Sequence, residues 1–336
     1  VVHHMAIDGV SWRILLADLR TGLAQVASGQ PVALGPKTAS VQAWGHALAA
    51  AAPHADAERA WWDAVDAAPS VAWPVQPSGQ ARLLRHTVTA TCTLSTDDTA
   101  ALTTRVHRAY NTRPNDVLLT ALVLACRTWL GGRGITIDLE SHGRDGLPDL
   151  DVSRTVGWFT TLYPVHLDVG ADATPGAALV AVKESLRQVP RHGVGYGVLR
   201  DGALRAQVLF NFLGQFDGEL DDLSTSDEDR GPEHGPGAVM SHDLELTSWI
   251  ADGQFRLSAR WLPADWPDDA LPQWLAHYRD ALVAVIAHCA HPVGPALSRP
   301  GCHRTAGPLR RGGRRGRLPA HACPAGHALP RTRDAG

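Results

Sequence analysis

The chain has 336 residues, a formal charge of −3, 44% hydrophobic and 19% charged residues, which is ample for a large core and excludes a disordered tail or a fibrous repeat as the whole. It contains no run of 18 apolar residues, and Val1-Val2-His3-His4 has neither a basic nor an apolar leader region, so neither a membrane span nor a signal peptide is expected. Five cysteines (Cys92, Cys126, Cys289, Cys302 and Cys323), an odd number without a CxxC pair, argue against a disulfide framework and a zinc ribbon and for a reducing, cytoplasmic setting.

The start at Val rather than Met, followed at once by a dense polar cluster, makes a piece of a longer polypeptide the expectation. After Asp8-Gly9, a helix is predicted over residues 11–23, with Trp12, Leu15, Leu16, Leu19 and Leu23 on one buried stripe and Ser11 favouring its start. Two more helical patterns follow, Val41, Trp44 and Leu48, then Trp61, Trp62 and Val65, separated by Pro53. The Pro/Ser/Gly stretch 69–80 is a candidate boundary. His86, Val88, Ala90, Cys92 and Leu94 alternate with four threonines as a half-exposed strand. Ser95 and Asp98 form a capping box for the next helix. Residues 116–130 are apolar nearly all round, a buried helix capped by Asn115.

Ile135, Ile137 and Leu139 then alternate with Thr136, Asp138 and Glu140, a strand with two carboxylates on one face. Residues 156–169 read as a strand, and Thr174-Pro175 opens a helix carrying Leu179, Val182, Leu186 and Val189. Gly193 to Gly197 follows a helix and leads to no phosphate-loop lysine, so it reads as a flexible bridging loop. A short strand at 208–213, an acidic loop at 219–237, a hairpin about Asp252-Gly253 and a helix over 268–289 complete the pattern. Residues 291–336 hold nine arginines and one acid, Asp334, while residues 1–290 carry −11. With apolar residues at neither period and frequent Pro and Gly, the tail is expected to be disordered, a solvated rather than a nucleic-acid-binding segment. Mixed strands and helices in this order give an α/β or α+β sandwich.

Two clusters carry candidate chemistry. In His3-His4-Met5-Ala6-Ile7-Asp8-Gly9, adjacent side chains diverge, so one histidine faces a given cleft and the other packs or orients it. An imidazole exchanges protons near pH 7, Asp8 can stiffen the loop and Gly9 permits a tight turn into the helix. On spacing alone these also read as ordinary polar loop residues, and two vicinal histidines lack the helical geometry of a zinc site. In Asp138-Leu139-Glu140-Ser141-His142-Gly143-Arg144-Asp145, the Asp138 carboxylate plus partial burial is expected to raise the Glu140 pKa and make it a proton shuttle. The alternative is a solvated strand edge where Arg144 pairs with Asp145 or Glu140.

His3 to Leu15 resembles the HHxxxDG signature of the nonribosomal peptide synthetase condensation superfamily, in the form typical of epimerization domains. Asp138 to Arg144, Thr155 to Thr160 running to Tyr163-Pro164-Val165, Gly193 to Leu199 and Asn211 to Asp217 agree in order, so the resemblance covers residues 1 to about 289. It implies a chloramphenicol-acetyltransferase-like, V-shaped pair of subdomains. Residues 1–80 would be the remnant of an incomplete N-terminal one bearing the HHxxxDG loop, 85–289 the C-terminal one and 290–336 the tail. It also implies inversion at the Cα of an aminoacyl or peptidyl thioester, L to D. The substrate would ride on the 4'-phosphopantetheine arm of an upstream peptidyl carrier protein, with adenylation and downstream condensation domains as neighbours, and with no cofactor of the domain's own, no nucleic acid and no membrane. By the same resemblance His4 and Glu140 are catalytic, while His3, Asp8, Gly9 and Asn211 support them. Ser141 stands where the family commonly has Gly. Phe212 stands where a Tyr often follows Asn211, which removes any hydroxyl contributed there. A condensation domain forming peptide bonds would keep His4 without needing the Glu140 stretch, and an inactive fragment would only dock carriers.

Overall fold

A computed structural model describes residues 2–147, 149–199, 206–216, 231–232 and 234–290. The tail and most of the acidic loop at 219–237 lie outside the described residues. Among the described residues, six strands form one mixed sheet in the order β1-β6-β5-β4-β2-β3: β1 (Val88–Thr93), β2 (Gly134–Ser141), β3 (Thr161–Asp168), β4 (Val208–Gln215), β5 (Leu244–Ala251) and β6 (Gln254–Trp261). The β2–β4 and β4–β5 pairs are parallel and the others antiparallel. The β5–β6 connection turns at Asp252 and Gly253, both at positive φ (53° and 67°), the conformation that a two-residue hairpin turn needs.

Period-two patterning divides the sheet faces. Ile135, Ile137, Leu139, Phe210, Leu246 and Leu257 are buried in one continuous core. Against that face pack α4 (Thr96–Thr104), α6 (Pro114–Leu130), α7 (Pro175–Arg187) and α9 (Ala270–Ala290). Sandwiched among sheet and helices, α6 is buried almost throughout from Asp116 to Cys126, which is why its sequence is apolar on every side. Its start differs from expectation: Asp116 accepts the Arg113 N–H (2.7 Å), so the first-turn carboxylate closes the terminus and Asn115 does not. A short α5 (Val106–Tyr110) precedes it and ends at Asn111, in the left-handed region.

On the N-terminal side lie α1 (Gly9–Ala27), α2 (Val41–Ala51) and α3 (Arg59–Ala67). The 69–80 stretch is extended but anchored. Trp73 is buried among Trp129, Trp266 and Trp274, and Gln76 N donates to Asp265 O. Residues 156–160 are a loop, and the strand begins only at Thr161. Gly193 to Leu199 is not a bridging loop: Val194–Leu199 is a short helix, α8, with Tyr196 fully buried against Trp62. No described helix is long and apolar enough to cross a membrane.

Most of the predicted stripe of α1 faces outward, with Leu16 half-buried. Leu19 and Leu23 are 51% and 56% exposed, and Trp12 and Leu15 are also exposed, whereas Ser11 and Ile14 are buried. The helix is fastened by polar groups at its first turn and by the Asp18–Arg154 ion pair, and these fix its rotation with the apolar stripe outward. Replacing Leu19 or Leu23 by Ser is therefore expected to change the unfolding free energy by less than about 0.5 kcal/mol, while Ile14→Ala costs about 2 kcal/mol. Urea unfolding of the three variants checks the orientation.

Candidate active site

The site is built on one buried ion pair. Asp8 caps α1 by accepting the Ser11 N–H (2.7 Å), and the Arg144 guanidinium donates to both of its oxygens (2.9 and 3.1 Å). Both side chains are nearly inaccessible. Arg144 also donates to Val152 O and Thr155 O (2.8 Å each) and lies over the Phe159 ring. The sequence alternative, in which Arg144 pairs locally with Asp145 or Glu140, is not what forms; Asp145 instead meets His142 (3.6 Å). Burial alone would push the Asp8 carboxyl up. Hydrogen bonds from Ser11, the Arg144 charge and the Phe159 N–H outweigh it and hold the carboxyl below its ordinary value.

Ser11 joins the third segment. Its Oγ accepts the Gly157 N–H (3.0 Å), and its proton has Asp8 Oδ1 and Gly157 O within reach. Asp8 N donates to Gly157 O (3.1 Å). The backbone of residues 156–160 is thus occupied by the α1 entry loop, which explains why those residues do not extend the strand. Gly143, at φ +67°, is needed on the β2 side of the clasp, since a Cβ there would stand 1.8 Å from Phe159 O. Gly9 is different: its backbone is not left-handed and a Cβ would meet nothing within 4 Å, so it makes no tight turn.

This clasp sets the two histidines. His3 Nδ1 accepts the Met5 N–H (3.2 Å) and closes its own 3₁₀ turn. The His4 ring meets Trp158 edge to face, with centroids 6.0 Å apart, and its charge acts on Glu140. Glu140 lies near the end of β2 on the face opposite the core, and the Asn211 side chain of β4 hydrogen-bonds its carboxyl. The Glu140 pKa is raised, first by burial and further by Glu245; His4 and Asn211 oppose the shift. Asp138 is not the neighbouring carboxylate responsible. It is fully buried and tied to His242 Nε2 (2.9 Å) and the Ala206 N–H (3.3 Å).

Ser141 hydrogen-bonds Tyr163. Phe212 alternates with Asn211 and packs against the core, so a hydroxyl at that position would lie across the sheet from Glu140. Cys92, Cys126 and Cys289 are pushed by burial to about 11, 12 and 11, which keeps them as thiols. Among the described residues, no three His, Cys, Asp or Glu side chains converge as metal ligands. Trp158 and Glu245 carried no role in the sequence reading; the hairpin alternation that exposes Glu245, Thr247 and Trp249 on one face was the available signal.

A family model described as the condensation domain matches residues 1–298. Bacitracin synthase 3 of Bacillus licheniformis is 35% identical over 303 residues, covering 86% of this chain and 5% of that protein. Surfactin synthase subunit 2 of Bacillus subtilis (strain 168) is 36% identical over 300 residues, with 86% and 8% covered. The chain therefore spans less than a tenth of the length of these relatives. Among solved structures, the epimerization domain from the third module of tyrocidine synthetase B is 33% identical with a TM-score of 0.78, covering 86% of this chain and 68% of that one. The first condensation domain of the calcium-dependent antibiotic synthetase, in complex with a substrate analogue, shares the fold at 17% identity and a TM-score of 0.61, with 85% and 63% covered.

Asp8→Asn is expected to destabilise the fold by about 3 kcal/mol, because it leaves the Arg144 charge buried without its counter-ion. Because the folded pKa of Asp8 is lowered, its contribution is complete above the unfolded value near 3.9 and is lost as pH falls through the folded value. Gly9→Ala is expected to leave stability unchanged or raise it by about 0.5 kcal/mol. Denaturant unfolding across pH measures all three.

Proposed function

The chain belongs to the condensation-domain family, and we propose that within it the domain epimerizes the Cα of an aminoacyl or peptidyl thioester from L to D. The substrate is carried on the 4'-phosphopantetheine arm of a peptidyl carrier protein in cytoplasmic nonribosomal peptide assembly. Upstream carrier and adenylation domains and a downstream condensation domain are its working neighbours. The arm is part of the substrate rather than a group resident in this domain. The observation that carries the reading is the Glu140 carboxyl: half-buried, held by Asn211, raised in pKa and within the field of His4.

The chemistry makes definite demands. A Cα proton next to a thioester carbonyl is weakly acidic, so its removal needs a positioned base and a group that stabilises the enolate oxygen. Returning a proton to the opposite face needs an acid there. Glu140 exchanges the proton at one face, its raised pKa narrowing the gap to the carbon acid. His4 stabilises the enolate or serves the other face, steadied by Trp158. The bond broken and the bond remade are both Cα–H, so only configuration changes. His3, Asp8 and Asn211 act as positioning residues, and the likeness to the tyrocidine synthetase epimerization domain supports the same reading. Gly9, assigned a supporting role by resemblance, has ordinary backbone and open space where a Cβ would stand. Amide formation would employ His4 and leave Glu140 and Asn211 without a part.

Incubating the chain with a carrier-bound L-aminoacyl thioester in deuterated water is expected to put deuterium at Cα and yield the D epimer. Glu140→Gln should lower exchange by about 10²- to 10⁴-fold. Unchanged exchange and D/L ratio in that variant would reject Glu140. A peptide product from donor and acceptor carriers would assign condensation instead, and carrier binding without Cα exchange would leave a docking fragment.

A further inference from the structure

The open sheet face beside Glu140 holds a second feature. A hollow of about 220 Å³ is lined by Glu245, Thr247 and Trp249 of β5 and by Ser258 and Arg260 of β6. Register places it relative to the candidate base. Leu139 pairs with Phe210, so Glu140 stands beside Asn211; Asn211 pairs with Thr247 and Thr247 with Ser258. With strands about 4.8 Å apart, Thr247 lies roughly 10 Å along the sheet from Glu140, which suits an extended substrate side chain whose Cα is held at the Glu140 carboxylate. Resting on the epimerization reading, we infer that this hollow receives the side chain of the residue being inverted and favours an uncharged, hydrogen-bonding one of the carboxamide class.

The lining sets that preference. Glu245 Oε1 accepts from Ser241 N and Oγ (3.2 and 3.1 Å), and Glu245 Oε2 faces Arg260 Nη1 at 3.8 Å. The charges in the hollow are therefore balanced. An anionic side chain would meet Glu245 and Glu140, and a cationic one would meet Arg260, so each would disturb the pair. An aliphatic side chain would cover the Thr247 and Ser258 hydroxyls without bonding them, a cost for every desolvated polar group left unpaired. A carboxamide offers both a donor and an acceptor to the nearer of those hydroxyls, that of Thr247, and the Trp249 indole supplies an apolar plane for its methylene stem.

The test compares Cα deuterium exchange on carrier-bound L-glutaminyl, L-leucyl, L-glutamyl and L-lysyl thioesters, together with dissociation constants for the matching amide-linked aminoacyl pantetheines. The glutaminyl substrate is expected to be favoured about tenfold in kcat/KM over the other three. Thr247→Val combined with Ser258→Ala should remove that preference, lowering glutaminyl exchange and raising leucyl exchange. A glutaminyl-to-leucyl ratio that is flat in the wild type, or unaltered in the double variant, in both exchange and binding, overturns the hollow's role. The same preference in binding without exchange on any thioester keeps the hollow and removes the epimerization reading.

Discussion

The Asp8–Arg144 pair is the constraint on which the site depends. It joins residues 136 positions apart in sequence, with both charges buried, and such a pair is sustained by close geometry and further hydrogen bonds to each partner. The Arg144 Nη atoms reach two Asp8 oxygens, the Ser11 hydroxyl and two backbone carbonyls, and the guanidinium lies over an aromatic face, while its Nε is buried without a hydrogen-bond partner. Removing either partner would leave a charge in the interior with no water to reach. The loop bearing His4 and the strand end bearing Glu140 are consequently held as one unit, and the proton chemistry inherits its alignment from an interaction that takes no part in it.

The sheet supplies the second half of the design. One face is saturated by α4, α6, α7 and α9. That frees the other face to carry polar groups at fixed spacing: Glu140, Asn211, Thr247 and Ser258 follow one cross-strand row. Rigid strands hold such a row more closely than loops can. Asp138, on the same face two residues before Glu140, is fully buried and tied to His242, whereas Glu140 is only partly buried and feels the His4 charge.

Local sequence carried most of the elements. Alternation in β1, β2 and the β5–β6 hairpin, the Ser95 and Thr174 caps and the uniformly apolar α6 each follow from a periodicity or a short-range hydrogen bond. Several misreadings share a cause. The stripe of α1, the extent of β3 and the partner of Arg144 are all decided by contacts between segments more than a hundred residues apart, to which periodicity is blind. The HHxxxDG pattern located His4 and Asp8, and its resemblance assigned their parts. The spatial reason, that Asp8 and Ser11 occupy the Gly157 backbone, was visible only in three dimensions. Glu140's raised pKa was expected from the right process, burial, and the wrong neighbour, since Glu245 rather than Asp138 adds to it.

The clasp brings His4 and Glu140 into one electrostatic environment. Carbon-13 NMR titration of the Glu140 side-chain carboxyl, in the wild-type chain and in His4→Ala, measures that coupling. Because burial raises the carboxyl and the His4 charge holds it down, Glu140 should titrate above the ordinary carboxylate range and move higher still when His4 is removed. A Glu140 that titrates at the ordinary value of about 4.3 and is indifferent to His4 would contradict the coupling.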